Sequence, residues 1–138
     1  MRIEPYLQFN GNCAQALEYY RQHLHGTDLC LMPYRGTPMQ EQVKEDWYDK
    51  IMHGSVQLGP TMLMGSDGGC DEGAKGMSGS SICLTVDTPE EAERAFAALA
   101  RDGTIQMPLE ETFWAKRFGM LKDQFGVAWM VNCLKEPA

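Results

Sequence analysis

Residues 81–103 read SICLTVDTPEEAERAFAALARDG, and this stretch decides the fold. Ser81 to Val86 alternates small or polar residues with apolar ones, which predicts a short strand. Thr88-Pro89-Glu90-Glu91 then supplies an N-cap, a proline at the first helical position and a glutamate at the third. Ala92, Ala95, Phe96 and Leu99 recur along one helical face, and Gly103 ends the helix. The same order stands near the N-terminus. Ile3 to Phe9 is an aromatic-rich strand closed by Asn10-Gly11. Asn12 with Gln15 is a variant capping box, followed by a stripe of Cys13, Ala16, Leu17, Tyr20 and Leu24 and a stop at Gly26. Ala16 and Tyr20 occupy the places that Ala92 and Phe96 take in the later segment.

Each helix is followed by three more strand-like pieces. In the first half these are Asp28 to Met32, Lys50 to Leu58 and Thr61 to Met64, the last two joined at Gly59-Pro60. Residues 39–49 are a polar excursion between them. In the second half they are Ile105 to Met107, Arg117 to Leu121 and Val127 to Val131, with a turn at Asp123-Gln124-Phe125-Gly126. Gly59 and Gly126 mark equivalent turns. The repeat predicts two βαβββ modules, about 1–66 and 81–134, in one α+β domain spanning 1–138. A helix covers one face of each sheet, and the other faces are expected to line a curved mixed-sheet trough, completed by a homodimer. Gly65 to Ser80 holds six glycines and is expected to be a mobile connector, with 67–80 as linker.

Composition narrows the function classes. Hydrophobic residues make up 43% and charged residues 22% of 138 residues, an ordinary globular mix. The net charge of −7 and the lack of a basic cluster argue against a nucleic-acid binder. No apolar run spans a membrane and no secretory leader is visible, so a cytoplasmic protein is expected. The five cysteines form no C-x-x-C pair. They are expected as free thiols, mostly packed as small hydrophobes, with Cys70 as an exposed exception.

The pieces PYLQFNGNCAQALEYY (5–20), MPY (32–34), KIMHGSVQLGPTMLMGSD (50–67), LTVDTPEEAERAFAALARDG (84–103) and MPLEETFWAKRFGMLKDQFGVAWMVNC (107–133) cover nearly the whole chain. In this order and spacing they resemble the PhnB-like branch of the vicinal oxygen chelate superfamily, which includes glyoxalase I, bleomycin-resistance proteins and extradiol dioxygenases. Some relatives carry a 3-demethylubiquinone 3-methyltransferase label. This chain has no glycine-rich loop suited to S-adenosylmethionine, so that label does not set the expected activity.

The resemblance implies where metal ligands would stand. The final-strand carboxylate position falls on Met130, and the histidine before the second helix falls on Ser81. A third falls on Met62 or a neighbour, and the first on Glu4 or Pro5. One carboxylate cannot build a zinc or nickel site, which needs about three protein ligands. A thioether does not replace a carboxylate for these ions. Neither metal nor cofactor is therefore expected.

The expected ligand surface combines Tyr6, Gln8, His53, Trp114, Arg117, Phe118 and Met130. It lies beside Thr112 to Gly119, with His53 approaching from a neighbouring strand and the glycine-rich loop only as a rim. Three aromatics and one guanidinium supply apolar area and an orienting charge. Strand parity places Cys83, Thr85, Ala128, Met130 and Asn132 on the trough side, with Trp129 and Val131 under the helix. The expected function is metal-free binding of a small molecule. The alternative is a glyoxalase- or isomerase-like enzyme with His53 as base, Arg117 as oxyanion partner and Glu4 as a remaining carboxylate. A Cys83–His53 nucleophile and base pair is the remotest of the readings.

Overall fold

The computed structural model describes residues 1–68 and 77–136. Its order is β1 (Tyr6–Phe9), α1 (Cys13–His23), β2 (Thr27–Pro33), β3 (Ile51–Leu58) and β4 (Thr61–Asp67). There follow β5 (Ile82–Thr85), α2 (Pro89–Ala100), β6 (Thr104–Glu110), β7 (Ala115–Lys122) and β8 (Ala128–Leu134). The excursion after β2 holds two short 3-10 turns, Pro38–Gln42 and Glu45–Trp47. Two sheets result, ordered β1-β4-β3-β2 and β5-β8-β7-β6. In each, the first strand runs parallel to the last and the remaining pairs are antiparallel. The fold is α+β with two βαβββ modules, as the repeat predicts. The chain clusters into two units, Met1–Gly76 and Met77–Ala138.

In the first module, α1 packs on β2, β3 and β4 and buries Cys13, Ala16, Leu17 and Tyr20. Leu7, Phe9, Val56 and Leu63 meet it from the sheet. In the second, α2 packs on β6, β7 and β8 and buries Ala92, Ala95, Phe96 and Leu99. Leu121, Trp129, Val131 and Cys133 lie beneath it. The turns at Gly59 and Gly126 both take positive φ, 59° and 90°, which glycine adopts without steric cost.

Four expectations need correction. The Asn12 side chain makes no capping hydrogen bond. Asp67 replaces it: its Oδ1 accepts from the backbone N–H of Gly11 at 2.8 Å and of Cys13 at 3.0 Å. Strand β4 runs on past Met64 to Asp67, so Gly65, Ser66 and Asp67 belong to the sheet and not to a linker. Gly65 is there for closeness, since a Cβ would stand 2.9 Å from the Phe9 ring and 3.1 Å from the Leu7 carbonyl. Strand β6 passes through Pro108 to Glu110. It is an edge strand with register shifts on both sides of Met107, the second spanning Pro108, where a missing N–H is tolerated. Finally, β1 begins at Tyr6 and not at Ile3, directly after Pro5, which has no N–H to give a ladder. Residues 69–76 of the expected connector, Cys70 included, lie outside the described residues.

Candidate functional site

Gly54 and Val56 face α1: a Cβ at Gly54 would meet the Leu17 side chain at 2.8 Å. Alternation then turns His53 and Ser55 away from the helix. Ser55 stands opposite Met64, and Met64 opposite Tyr6. Tyr6, Gln8, Met64, Ser66 and His53 therefore share the face away from α1. The Tyr6 hydroxyl is 3.0 Å from Nδ1 of His53, and the two rings stack at 5.6 Å. The Ser66 hydroxyl donates to the Gln8 side-chain oxygen at 3.4 Å. The structure thus brings together the three residues expected on this sheet, Tyr6, Gln8 and His53.

In the second module, Gly119 faces α2, where a Cβ would meet Phe96 at 2.7 Å. Phe118 and Met120 consequently point away from α2. Phe118 stands opposite Asn132 and Met120 opposite Met130. Trp114 and Phe118 meet edge-on at 5.2 Å, and Phe113 packs on Trp114 at 4.9 Å. Trp114 is 41% exposed. Met130 is on the face where sequence parity expects it, and Phe118 and Trp114 share that face.

Arg117 is not with them. It alternates with Phe118, lies on the α2 side, and donates from Nε to Glu93 Oε1 at 3.3 Å and from Nη1 to the Lys116 carbonyl at 2.6 Å. The geometry leaves it no role as the guanidinium of the Trp114–Phe118 face. His53 does not lie on a strand neighbouring Thr112 to Gly119 either: β3 is flanked by β2 and β4. Cys83 belongs to β5 in the other sheet, its Sγ 3.8 Å from the Thr85 hydroxyl. Glu111 pairs with Lys135 at 2.9 Å, and this hydrogen bond holds its carboxyl below the usual range.

The metal-ligand positions can be tested against the side chains. Glu4 is committed to the chain entry, with Oε2 accepting from the Met62 N–H at 3.1 Å and Oε1 3.8 Å from Arg2. Among the described residues, no three His, Cys, Asp or Glu side chains cluster closely enough to hold a metal ion. The described residues do not fit the metal that metal-dependent members of the resembled superfamily use. Of the cysteines, Cys13 and Cys133 are buried, whereas Cys30 and Cys83 are exposed, so packing accounts for only half of those described.

Sequence reasoning missed two features. One is a cleft of about 370 Å³ at the end of β5, β8 and β7, with Thr85, Asp87, Lys116, Leu134, Lys135 and Glu136 in its lining. The other is the Asn132 side chain, whose Oδ1 is buried without a hydrogen-bond partner. Only its trough-facing parity was legible.

Residues 1–132 match the family model described as 3-demethylubiquinone-9 3-methyltransferase. The chain belongs to this family. Similar proteins include PA1353 from Pseudomonas aeruginosa, whose crystal structure is 50% identical with TM-score 0.89 over 99% of both chains. Protein YjdN from Escherichia coli K12 is 34% identical over 99% of this chain and 97% of its own. The PhnB protein from Bacillus cereus is 25% identical with TM-score 0.80, covering 96% of this chain and 99% of that one. A glyoxylase/bleomycin resistance protein/dioxygenase domain from Frankia, at 15% identity and TM-score 0.64, shares the fold alone over 98% of each chain. The PhnB-like family read from the sequence is thus borne out, and the fold is the one seen in the glyoxalase/bleomycin resistance/dioxygenase neighbours.

Proposed function

We propose that this family member is a metal-independent small-molecule binding protein, with its ligand held on a sheet face turned away from the helix of that module. The observation that carries the reading is the make-up of those faces. One bears the Tyr6–His53 pair with Gln8 and Ser66. The other bears Trp114, Phe118, Met120 and Met130. Aromatic and thioether surface with a few polar groups is the usual composition of a small-molecule site. Met130, Ser81 and Met62 at three of the four metal-ligand positions support binding without a metal. A homodimer would cover these faces, and the cytoplasm is the proposed compartment, with no nucleic-acid partner. Among the described residues, no helix is long and apolar enough to cross a membrane.

The decisive experiment is elemental analysis of protein purified without chelator. Substoichiometric zinc, nickel, manganese and iron is the expected result. One equivalent of any of them would overturn the metal-independent reading.

A second reading is favoured by one contact. The Tyr6 hydroxyl engages Nδ1 of His53 and so orients the ring, which suits a general base acting through Nε2. On this reading the protein is a glyoxalase- or isomerase-like enzyme. Turnover of a substrate panel that is abolished in His53→Ala would favour it, and unchanged turnover would remove His53 from the chemistry.

A further inference from the structure

The second sheet carries sulfur from one edge to the other on the face turned away from α2. Met107 on β6 stands opposite Met120 on β7, Met120 opposite Met130 on β8, and Met130 opposite Cys83 on β5. With the sheet ordered β5-β8-β7-β6, these side chains form one row across every strand. They share a face. Gly119 lies against Phe96 of α2, and Trp129 and Val131 are buried beneath that helix, so alternation turns Met120 and Met130 the other way. Directly opposed residues hold their Cβ atoms about 4.5–5.5 Å apart, which lets each sulfur reach the next. The rows on either side differ: one sets Phe118 against Asn132 and Glu110, the other Lys122 against Ala128. The exposed thiol of the first sheet has no such setting, since Cys30 stands opposite Ser55.

The softness that disqualifies Met130 as a zinc ligand suits a different ion. One thiolate beside thioethers, with no imidazole or carboxylate in the row, is a donor set for Cu(I) and a poor one for zinc. Methionine is unbranched with three rotatable bonds, so its sulfur can turn onto an ion without backbone movement. Cys83 supplies the negative charge, and the Thr85 hydroxyl, 3.8 Å from its Sγ, can donate to the thiolate. The row is open to solvent at both ends, where Cys83 is exposed and Met107 is 45% exposed, while Met120 and Met130 are half-buried. We propose that Cys83, Met130 and Met120 form a binding site for a cuprous ion, with Met107 beside it at the edge of the sheet. On binding, the Cys83 thiol releases its proton to solvent and the copper stays Cu(I). The site stands apart from the small-molecule reading, whose own tests are zinc, nickel, manganese and iron content and the Trp114→Ala variant.

Anaerobic titration of the full chain with Cu(I), supplied as its acetonitrile complex and competed against bicinchoninate, tests the site. Cu(I) is expected to be retained against the chelator, with a sulfur-only shell in copper X-ray absorption. Met120→Leu and Met130→Leu leave every thiol in place and nearly conserve side-chain volume, so either variant should fold. Each should weaken Cu(I) binding at least about tenfold, the loss that follows removal of even an outer partner of a metal site. Cys83→Ser should abolish the retained Cu(I), whereas Cys30→Ser should leave it unchanged. Excess Zn(II) should not displace it. Affinity undiminished in both methionine variants would reduce the site to thiol binding alone and overturn the proposal. So would equal losses in Cys30→Ser and Cys83→Ser, nitrogen or oxygen in the copper shell, or failure to hold Cu(I) against bicinchoninate.

Discussion

The Tyr6 hydroxyl and His53 Nδ1 lie 3.0 Å apart although β4 separates their strands. The contact is a diagonal across the sheet, made possible by the length of the tyrosine and by two rings stacked at 5.6 Å. Tyr6 is 44% exposed, so the pair adds little to folding. Tyr6→Phe should change stability by less than about 1 kcal/mol, the range for a solvent-accessible hydrogen bond. If the pair serves a ligand, the same variant should weaken binding several-fold. Thermal melts and titrations run side by side check this; a large loss of stability with binding unchanged would show the pair to be structural.

Asp67 is the opposite case. It is 1% exposed, and its carboxylate accepts from the backbone of Gly11, Cys13 and Ile51, while its carbonyl accepts from the Tyr34 hydroxyl. It closes the start of α1, the start of β3 and the end of β4 onto one point. Asp67→Ala strands three N–H groups, two of them buried, and should cost about 3 kcal/mol or more, read by urea denaturation. A cost below about 1 kcal/mol would mean that other acceptors or water replace the carboxylate.

The two helix starts make a matched test of local sequence signals. Thr88 Oγ1 accepts from the Glu91 N–H at 3.1 Å, as its motif predicts. Asn12, with the weaker motif, makes no such bond. Thr88→Ala should cost about 1 kcal/mol, and Asn12→Ala no more than a few tenths. Equal costs in denaturation curves would contradict the assignment of capping at α1 to Asp67.

Cys13 gives a pH signature. Burial, reinforced by the Asp67 carboxylate, pushes its thiol from 9.0 up to about 12. The folded state therefore holds this proton more tightly than the unfolded state. The contribution is fully present below pH 9 and is lost as pH rises toward 12. Native protein at pH 8 should leave Cys13 unmodified by iodoacetamide while the exposed Cys30 and Cys83 react. Stability should fall less steeply above pH 9 in Cys13→Ala than in the parent. Alkylation of Cys13 in the native state would contradict its burial.

Much of this fold was legible because it rests on local, periodic signals. The stripe Ala92, Ala95, Phe96, Leu99 and the alternation through Trp129, Met130 and Val131 each fix a face without knowledge of the rest. The placement of Tyr6, Gln8 and His53 followed from the same parity. What was not legible depends on long-range pairing. Gly65 and Asp67 read as loop until Phe9 and the start of α1 are known to lie against them. Arg117 looked like a ligand group from its aromatic neighbours in sequence, yet alternation in β7 sends it to Glu93 on the other face. Asn132 gave no signal beyond parity, because a missing hydrogen bond cannot be read from residue types.

The central claim is that a small molecule binds the aromatic face without a metal. Calorimetric titration of a panel of small aromatic molecules in EDTA, on the parent protein and on Trp114→Ala, addresses it most directly. Trp114 packs edge-on against Phe118 while remaining 41% exposed, so it can cover a ligand. The account predicts at least one compound bound equally well with and without EDTA. Trp114→Ala should weaken that binding by about 1–3 kcal/mol, the range for losing a well-packed aromatic contact. Binding that vanishes in EDTA, or that persists undiminished in Trp114→Ala, would contradict it.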